Sequence, residues 1–359
     1  MSFRIGIIGC GAIGTVHAKS AKAAGLEVAG VWDVDPERGP LLAQEHKKCT
    51  AYDSLESLLS SDIDAVAIGV PNNVHRDCAI AAIKAGKHVL LEKPMAMSVA
   101  ECDEVIAAHE AAGAGHVLQL GFVCRGLPTA VAVKEMVDNG EFGEIYHVKC
   151  SIYRHRGIPG LGGWFTTKAL SGGGPLIDLG VHVLDLAMHL TGNHEPVRAS
   201  GHTVSYFGAP IENYLYEEMW AGPPNFDGVF DVEDGAVALI RFANGMTLEL
   251  NVTWAVNLPD DLLPSGIAVL GRESGCFFEL FGKELNVASE KDGQLTKSKP
   301  KFKCHDVEVE AWKRQYEQFI AAVEDGVSPH ADGAAGRRVQ SLIEAIYRSS
   351  EAQAEVEVE

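Results

Sequence analysis

The feature that most limits the fold of this chain is a regular alternation of short β-rich segments with alanine-rich helical segments over the first 121 residues. Strands are predicted at 3–8, 26–32, 64–70, 87–92 and 116–121, each bounded by Gly, Pro, Asn or Asp. Helices are predicted near 12–24, 36–46, 73–85 and 98–112. Because such alternation produces a parallel sheet with helices on both faces, the sequence predicts an α/β N-terminal domain over residues 1–124.

The order of predicted elements changes after residue 125, where strands follow one another without intervening helices. They are predicted at 144–154, 197–204, 234–242, 246–254, 266–271 and 275–280, with Asn-Gly at 244–245 as a hairpin turn. Helices are predicted within 172–186 and near 308–325 and 334–352, and the last can pack back on the first domain. The final EVEVE is predicted to fray. Residues 125–359 are therefore predicted to be an α+β C-terminal domain with a large, open, mostly antiparallel sheet.

One face of an open sheet of this size stays exposed to solvent unless another surface packs against it. The predicted helices can cover only one side of the six strands. We therefore expect a homo-oligomer, a dimer or a tetramer, built through the open sheet.

Composition excludes several classes of partner. The 359 residues carry 49 acidic and 30 basic side chains, a formal net charge of −19 that repels nucleic acid and anionic lipid. The 8 cysteines form no CxxC pair, which favours a reduced cytoplasmic chain over a disulfide framework or a zinc ribbon. There is no signal-peptide pattern and no apolar run near the ~20 residues that span a bilayer.

A glycine-rich loop follows the first strand and opens the first helix. Gly9, Gly11 and Gly14 stand in G-x-G-x-x-G spacing. The first glycine permits the tight turn, the second lets a pyrophosphate approach the backbone, and the third lets the helix pack on the strand. The free N–H groups at the helix start, at Ala12 and Ile13, face the phosphates. The pattern predicts a dinucleotide-binding Rossmann domain, the alternative being simple helix–strand packing.

The acidic residue after the second strand indicates which dinucleotide is bound. Asp33 follows Trp32, where a carboxylate accepts hydrogen bonds from the adenosine ribose and repels a 2′-phosphate. Val34 and Asp35 supply no positive charge that could bind a 2′-phosphate, although Arg38 could approach this position. The sequence therefore favours NAD over NADP.

Two further strand ends carry candidate ligands. Pro71, Asn72 and His75 follow the third predicted strand, in the place where a cofactor would be lined; a plain Asn-capped turn is the alternative. Glu92 and Lys93, before Pro94, end the fourth, at the sheet edge where open α/β sheets bind ligands. A lysine there can stabilise a developing alkoxide, the alternative being a surface ion pair between the two charges.

The stretch GGGPLIDLGVHVLDL at 172–186 places a carboxylate and an imidazole four residues apart. Positions i and i+4 share one helix face, so Asp178 and His182 can point into one small volume. A capped, solvated helix start is the other interpretation. The same face continues to Asp185 and His189, but at ~1.5 Å rise per residue its ends are too far apart for one ion, so no metal is predicted.

These motifs together resemble the Gfo/Idh/MocA oxidoreductases, which include inositol dehydrogenases and glucose-fructose oxidoreductase. The resemblance rests on GCGAIG, PNNVH, EKP and GGGPLIDLGVHVLDL in this order, and continues through VEDGAVALIRFANGMTLELNVTWA and GRRVQSLIEAIYRSSE. It implies hydride exchange with a secondary hydroxyl of a sugar-like substrate or cyclitol. It further implies that Lys93, Asp178 and His182 are catalytic and bind substrate, that a cis peptide precedes Pro94, and that Arg125 lies near the substrate.

The stretch 151–174 mixes aromatic and basic side chains with glycine and is a candidate substrate-reading loop. Aromatic rings stack on sugars and arginines donate forked hydrogen bonds, so Tyr153, Arg156 and Trp164 are candidate substrate ligands. If the strand is regular, Arg154 and Arg156 share one face and Tyr153 and His155 the other. The alternative is that these residues cover the sheet or an interface.

Three functions remain open at this point. The first is an NAD-dependent dehydrogenase acting on a sugar, glycoside or inositol. The second is a glycosidase that uses transient oxidation with tightly held NAD, as in one branch of the resembled family. The third is a dinucleotide-binding regulator without catalysis. No Gly-x-Ser-x-Gly elbow or Cys/His nucleophile pattern is seen, which argues against acyl transfer.

Overall fold

The computed structural model describes residues 3–192, 194–216, 219–259, 262–291 and 293–359, which form two compact units. Unit 1 comprises Met1–Phe122 and Trp312–Arg338, and unit 2 comprises Val123–Ala311 and Val339–Glu359. The assignment of cofactor binding to 1–124 and of substrate binding to 125–359 stays a prediction.

Unit 1 contains a six-stranded parallel sheet of order β3-β2-β1-β4-β5-β6. The strands are β1 Arg4–Ile8, β2 Glu27–Trp32, β3 Thr50–Ala51, β4 Ala65–Ile68, β5 His88–Leu91 and β6 Leu118–Leu120. The helices that follow them in the chain are α1 Ala12–Ala23, α2 Arg38–Gln44, α3 Leu55–Leu59, α4 His75–Lys84 and α5 Val99–Ala112. The predicted doubly wound parallel sheet is confirmed.

The central strands of unit 1 are mostly apolar and buried, since both faces of the sheet are covered. Ile5, Ile7, Val66 and Leu90 have no exposed surface, as expected for a parallel sheet between helix layers. The order reverses between β1 and β4, so β1 and β4 end at the point where ligands bind such sheets.

Unit 2 contains a nine-stranded sheet of order β14-β13-β12-β11-β7-β10-β9-β8-β15, antiparallel except between β7 and β10. Its strands are β7 Ile145–Tyr153, β8 Pro196–Val204, β9 Gly235–Phe242, β10 Thr247–Thr253, β11 Gly266–Gly271, β12 Ser274–Glu279, β13 Leu285–Lys291, β14 Gln294–Ser298 and β15 Val356–Glu357. The predicted mostly antiparallel sheet is confirmed. The predicted hairpin at residues 244–245 is also confirmed, since Thr247 pairs with Arg241 across it.

The sheet is larger than the six strands predicted. Strands β13 and β14 were not predicted. Every residue of β14 is exposed, and β13 buries Leu285 and Val287 between polar residues. The tail was predicted to fray, but Val356 pairs with Ala199 on the edge strand β8, and Arg198 forms an ion pair with Glu357. Pairing with a sheet edge supplies the backbone partners that an isolated tail lacks.

Helices α6 Pro128–Asp138, α7 Lys168–Ser171 and α8 Val181–Thr191 belong to unit 2. Helix α9, Val307–Glu324, passes from unit 2 to unit 1 after Ala311, and α10, Gly333–Ala352, passes back to unit 2 after Arg338. In the described part of the chain no helix combines the length and apolar run that a bilayer crossing needs.

The stretch at 172–186 is not one regular α-helix. A π-helical turn, Leu176–Gly180, precedes α8 and contains Asp178. The turn is wider than an α-helical turn, so the simple i, i+4 argument for Asp178 and His182 does not describe this geometry. Single π turns in longer helices occur frequently at functional sites.

Candidate active site

The glycine loop of unit 1 leaves room for a ligand at one glycine and needs the other two for packing. Gly9 has φ +89°, and a β-carbon there would overlap the carbonyl oxygen of Gly69. A β-carbon at Gly14 would overlap the carbonyl oxygen of Gly9. At Gly11 the nearest atom to such a β-carbon is Arg38 Nη1 at 3.8 Å. The space over Gly11, beside the start of α1, therefore suits a pyrophosphate.

Asp33 lies directly after β2 and fixes the glycine loop. Its Oδ2 accepts a hydrogen bond from the Cys10 N–H at 2.6 Å, and its Oδ1 accepts one from the Asp35 N–H at 2.8 Å. Burial and the Asp33 charge raise the pKa of the Cys10 thiol to about 12, so this thiol stays protonated. Arg38 pairs with Asp35 at 3.2 Å, which places a cation near the ribose end of the predicted site.

The segment after β4 is held by a buried histidine. Asn72 begins a short 3₁₀ turn and Pro71 precedes it. His75 Nδ1 lies 2.6 Å from the Pro94 carbonyl oxygen, and Nε2 lies 2.9 Å from that of Val70. Burial lowers the pKa of His75. Because its two ring nitrogens face the carbonyls of Pro94 and Val70, His75 connects the segments that follow β4 and β5, and its contact with the cofactor stays a prediction.

Glu92 is the centre of a buried polar cluster behind Lys93. Its Oε1 lies 3.1 Å from His17 Nε2, and the Lys93 N–H donates to its Oε2 at 3.2 Å. The other nitrogen of His17 lies 2.8 Å from the Tyr316 hydroxyl. Burial and the Glu92 charge hold the Tyr316 pKa well above its usual value. Glu92 therefore holds the backbone of Lys93, and its predicted contact with the cofactor stays a prediction.

The peptide bond between Lys93 and Pro94 is cis, as the family resemblance implied. It directly follows β5, so Lys93 stands at the carboxyl end of a central strand of unit 1.

In unit 2 the glycines before the π turn pack against a buried carboxylate. A β-carbon at Gly174 would overlap the Glu233 carbonyl oxygen, and one at Gly173 would overlap the Tyr347 hydroxyl. Glu233 Oε1 accepts hydrogen bonds from the Leu176 N–H at 3.2 Å and from the Tyr347 hydroxyl at 2.8 Å. Burial raises the pKa of Glu233. This clamp fixes the start of the turn that carries Asp178.

Asp178 and His182 each contact a residue from elsewhere in unit 2. Asp178 is 9% exposed, and its Oδ2 accepts a hydrogen bond from the Trp254 indole N–H at 2.9 Å. His182 Nδ1 lies 3.9 Å from the Cys124 Sγ. The buried carboxylate and the imidazole thus have side-chain neighbours that limit how each can turn.

Arg125 is buried in an ion pair that ties the segment after β6 to α8. Its Nε donates to Asp185 Oδ2 at 2.8 Å and its Nη2 to Oδ1 at 2.5 Å. Both side chains are almost completely buried. The bidentate pair holds the guanidinium of Arg125 in one orientation, and the substrate contact of Arg125 stays a prediction.

The predicted substrate loop leaves the sheet earlier than expected. Strand β7 ends at Tyr153, so the alternation predicted for 153–156 does not apply. Arg156 donates to Asn257 Oδ1 at 2.6 Å and lies 5.0 Å from the Phe207 ring centroid. Trp164 stacks on Phe165 with ring centroids 3.8 Å apart. Tyr153, Arg156 and Trp164 are thus in unit 2, and their substrate contacts stay predictions.

Lys93 belongs to unit 1, whereas Asp178 and His182 belong to unit 2. The sequence did not predict the roles of Trp254, Cys124, Glu233 or His17. Trp254 stands in NVTWA and Glu233 in VEDGA, both inside sequence motifs quoted above. This location is the sequence signal that could have indicated these two residues. Among the described residues no group of three His, Cys, Asp or Glu side chains could hold a metal ion.

Comparison with known proteins gives matches along the chain. A model of an oxidoreductase family with an NAD-binding Rossmann fold matches residues 3–122, and a model of the GFO/IDH/MocA C-terminal domain matches 130–277. D-glucoside 3-dehydrogenase of Escherichia coli (strain K12) is 30% identical over 358 residues, 99% of this chain and 97% of that protein.

Two further matches differ in coverage. Inositol 2-dehydrogenase 2 of Saccharopolyspora erythraea is 32% identical over 206 residues, 56% of this chain and 58% of that protein. The solved structure of levoglucosan dehydrogenase in complex with NADH aligns over 100% of both chains with a TM-score of 0.86 at 22% identity, and so has the same fold.

Proposed function

Because the chain belongs to the Gfo/Idh/MocA family of oxidoreductases, we propose that it oxidises a secondary hydroxyl of a sugar, glycoside or cyclitol with NAD as the hydride acceptor. The observation that carries this proposal is the π turn and the start of α8, which carry the buried Asp178 carboxylate and the His182 imidazole at the positions of the family motif. The names of the relatives, among them a glucoside dehydrogenase and an inositol dehydrogenase, support this substrate class.

The residues of unit 1 fit a dinucleotide. Gly9, Gly11 and Gly14, with the backbone of Ala12 and Ile13, would hold the pyrophosphate. Asp33 would bind the adenosine ribose, and the Pro71–Asn72 segment would line the nicotinamide half. Bound NAD supplies the hydride acceptor. The fit rests on the open space over Gly11, next to a helix start without a side-chain cap.

Three side chains have separate roles in the proposed acid–base chemistry. His182 removes the hydroxyl proton, because imidazole is the side chain that most often serves as a general base. Lys93 donates a hydrogen bond to the same oxygen and stabilises its developing charge. Asp178 orients the imidazole or binds a neighbouring hydroxyl. Tyr153, Arg156 and Trp164 are proposed to contact the rest of the substrate.

A panel of inositols, hexoses and glycosides tests this function. We expect NADH absorbance at 340 nm to appear with at least one member of the panel, and Lys93→Met to abolish it. Release of the aglycone without net NADH would instead indicate the glycosidase. NAD binding without turnover of any member would indicate the regulator.

Asp33 is expected to make NAD the preferred cofactor. We expect kcat/KM to be higher with NAD than with NADP. Asp33→Asn keeps an acceptor for the Cys10 N–H but removes the charge, and should shift the NADP/NAD ratio of kcat/KM upwards by about 10- to 100-fold. Glu37→Gln is the control and should leave the ratio unchanged. A wild-type enzyme that prefers NADP would contradict the assignment.

We also propose a homo-oligomer through the open sheet of unit 2. Val237 and Leu239 are 43% and 36% exposed on the same face of β9. Sedimentation velocity at micromolar concentration should show a dimer or a tetramer, and a monomer would contradict this proposal.

The eight cysteines are all free, which supports the cytoplasm as the compartment.

A further inference from the structure

The structure assigns to Trp254 the position of a fixed hydrogen-bond donor for Asp178. Trp254 has no exposed surface, and its indole N–H donates to Asp178 Oδ2 at 2.9 Å. A tryptophan side chain can only donate, so this bond has one polarity whatever the pH. We propose that Trp254 is a positioning residue that holds the Asp178 carboxylate for catalysis. This inference rests on the proposed function, because it gives Asp178 a role in turnover.

The backbone of Trp254 is held on both sides, which makes its indole a rigid donor. Its N–H donates to the Asp234 carbonyl oxygen at 2.9 Å, and its own carbonyl accepts from the Gly157 N–H at 2.7 Å. Trp254 directly follows β10, and β10 lies between its hydrogen-bonded neighbours β7 and β9 in the sheet. The indole plane therefore has little freedom to follow a moving carboxylate.

Asp178 is held through its backbone as well as through its side chain. It stands in the π turn, where its N–H donates to the Gly174 carbonyl oxygen at 3.0 Å. Glu233 clamps the beginning of this turn at the Leu176 N–H. The clamp sets the backbone, and the indole then sets one carboxylate oxygen. Misplacement of a catalytic group by ~1 Å can lower turnover about 100-fold.

Trp254→Phe removes the donor and keeps an aromatic ring. We expect kcat to fall about 10- to 100-fold while the KM for NAD changes less than about twofold. In an Asp178→Asn background the same substitution should lower kcat by less than about twofold, because the effect passes through Asp178. Phe278→Leu removes part of another fully buried ring from the same unit. It should lower the melting temperature as Trp254→Phe does, but keep kcat.

A spectroscopic measurement tests the bond without substrate or cofactor. In protein labelled with ¹⁵N at the indole nitrogens, Trp254→Phe identifies the Trp254 N–H resonance. Replacing Asp178 by asparagine should move its proton upfield, since a bond to a neutral acceptor is weaker than one to a carboxylate. Glu249→Gln, on β10 in an ion pair with Lys149, should leave it in place.

Two outcomes would overturn the inference: an indole resonance that ignores Asp178→Asn, or losses in kcat from Trp254→Phe and Asp178→Asn that multiply. If the wild-type protein oxidises no member of the panel, the proposed function fails, and the indole spectrum alone then decides whether Trp254 holds Asp178.

Discussion

His182→Ala is expected to lower kcat about 10²- to 10⁴-fold, the range for loss of a general base. The proton of the substrate hydroxyl must leave as hydride is transferred, and without the imidazole only water can accept it. The KM for NAD should stay within about twofold, because the glycine loop and Asp33 belong to unit 1.

The matched control is His189→Ala, which removes an imidazole from the same helix. His189 stands in the last turn of α8 and has no role in the proposed chemistry. This variant should keep kcat within about twofold. Added imidazole should restore part of the activity of His182→Ala and none of that of Lys93→Met. Wild-type turnover in His182→Ala would show that the base is another group.

Two glycine substitutions in the G-x-G-x-x-G motif are expected to have different effects, one on NAD binding and the other on stability. Gly11→Ala should weaken NAD binding about 10- to 100-fold, equivalent to ~1.4 to 2.8 kcal/mol, because the new methyl group would occupy the space left for the pyrophosphate. Its backbone has φ −76°, which alanine adopts, and no protein atom lies closer than 3.8 Å to the new carbon. The melting temperature should therefore change by less than about 1 °C.

Gly14→Ala should instead destabilise the protein, because its β-carbon would overlap the Gly9 carbonyl oxygen. A backbone atom cannot rotate away, so we expect a loss of at least ~3 kcal/mol. This corresponds to a fall in melting temperature of roughly 6 to 12 °C. Differential scanning calorimetry and NAD titration of both variants separate the effects. Equal losses of stability would contradict the view that Gly14 is a packing glycine and Gly11 is not.

The parallel sheet could be predicted because its signals are local. Alternation of strand and helix requires only neighbouring residues, and the positive φ of Gly9 follows from the tight turn that the motif needs. The hairpin at 244–245 was predictable for the same reason. Strands β13 and β14 were not, since β13 is placed by its pairing with β12 and the polar β14 by its pairing with β13.

The candidate site was predicted only in part. The identities of Asp178, His182 and Lys93 stood out by motif, but the π turn did not, because a helical pattern does not reveal one extra residue in a turn. The ion pair of Arg125 with Asp185, 60 positions away, was not predicted.

The fold class, the glycine loop and the residues that could do chemistry can be predicted from the amino-acid sequence, since they depend on steric limits and on spacing within one segment. What holds these residues in place depends on contacts between distant parts of the folded chain. Trp254 meets Asp178 across 76 positions and Tyr347 meets Glu233 across 114. Such contacts depend on strand register and on how a distant helix packs, and a buried donor must find its acceptor wherever the folded chain brings one.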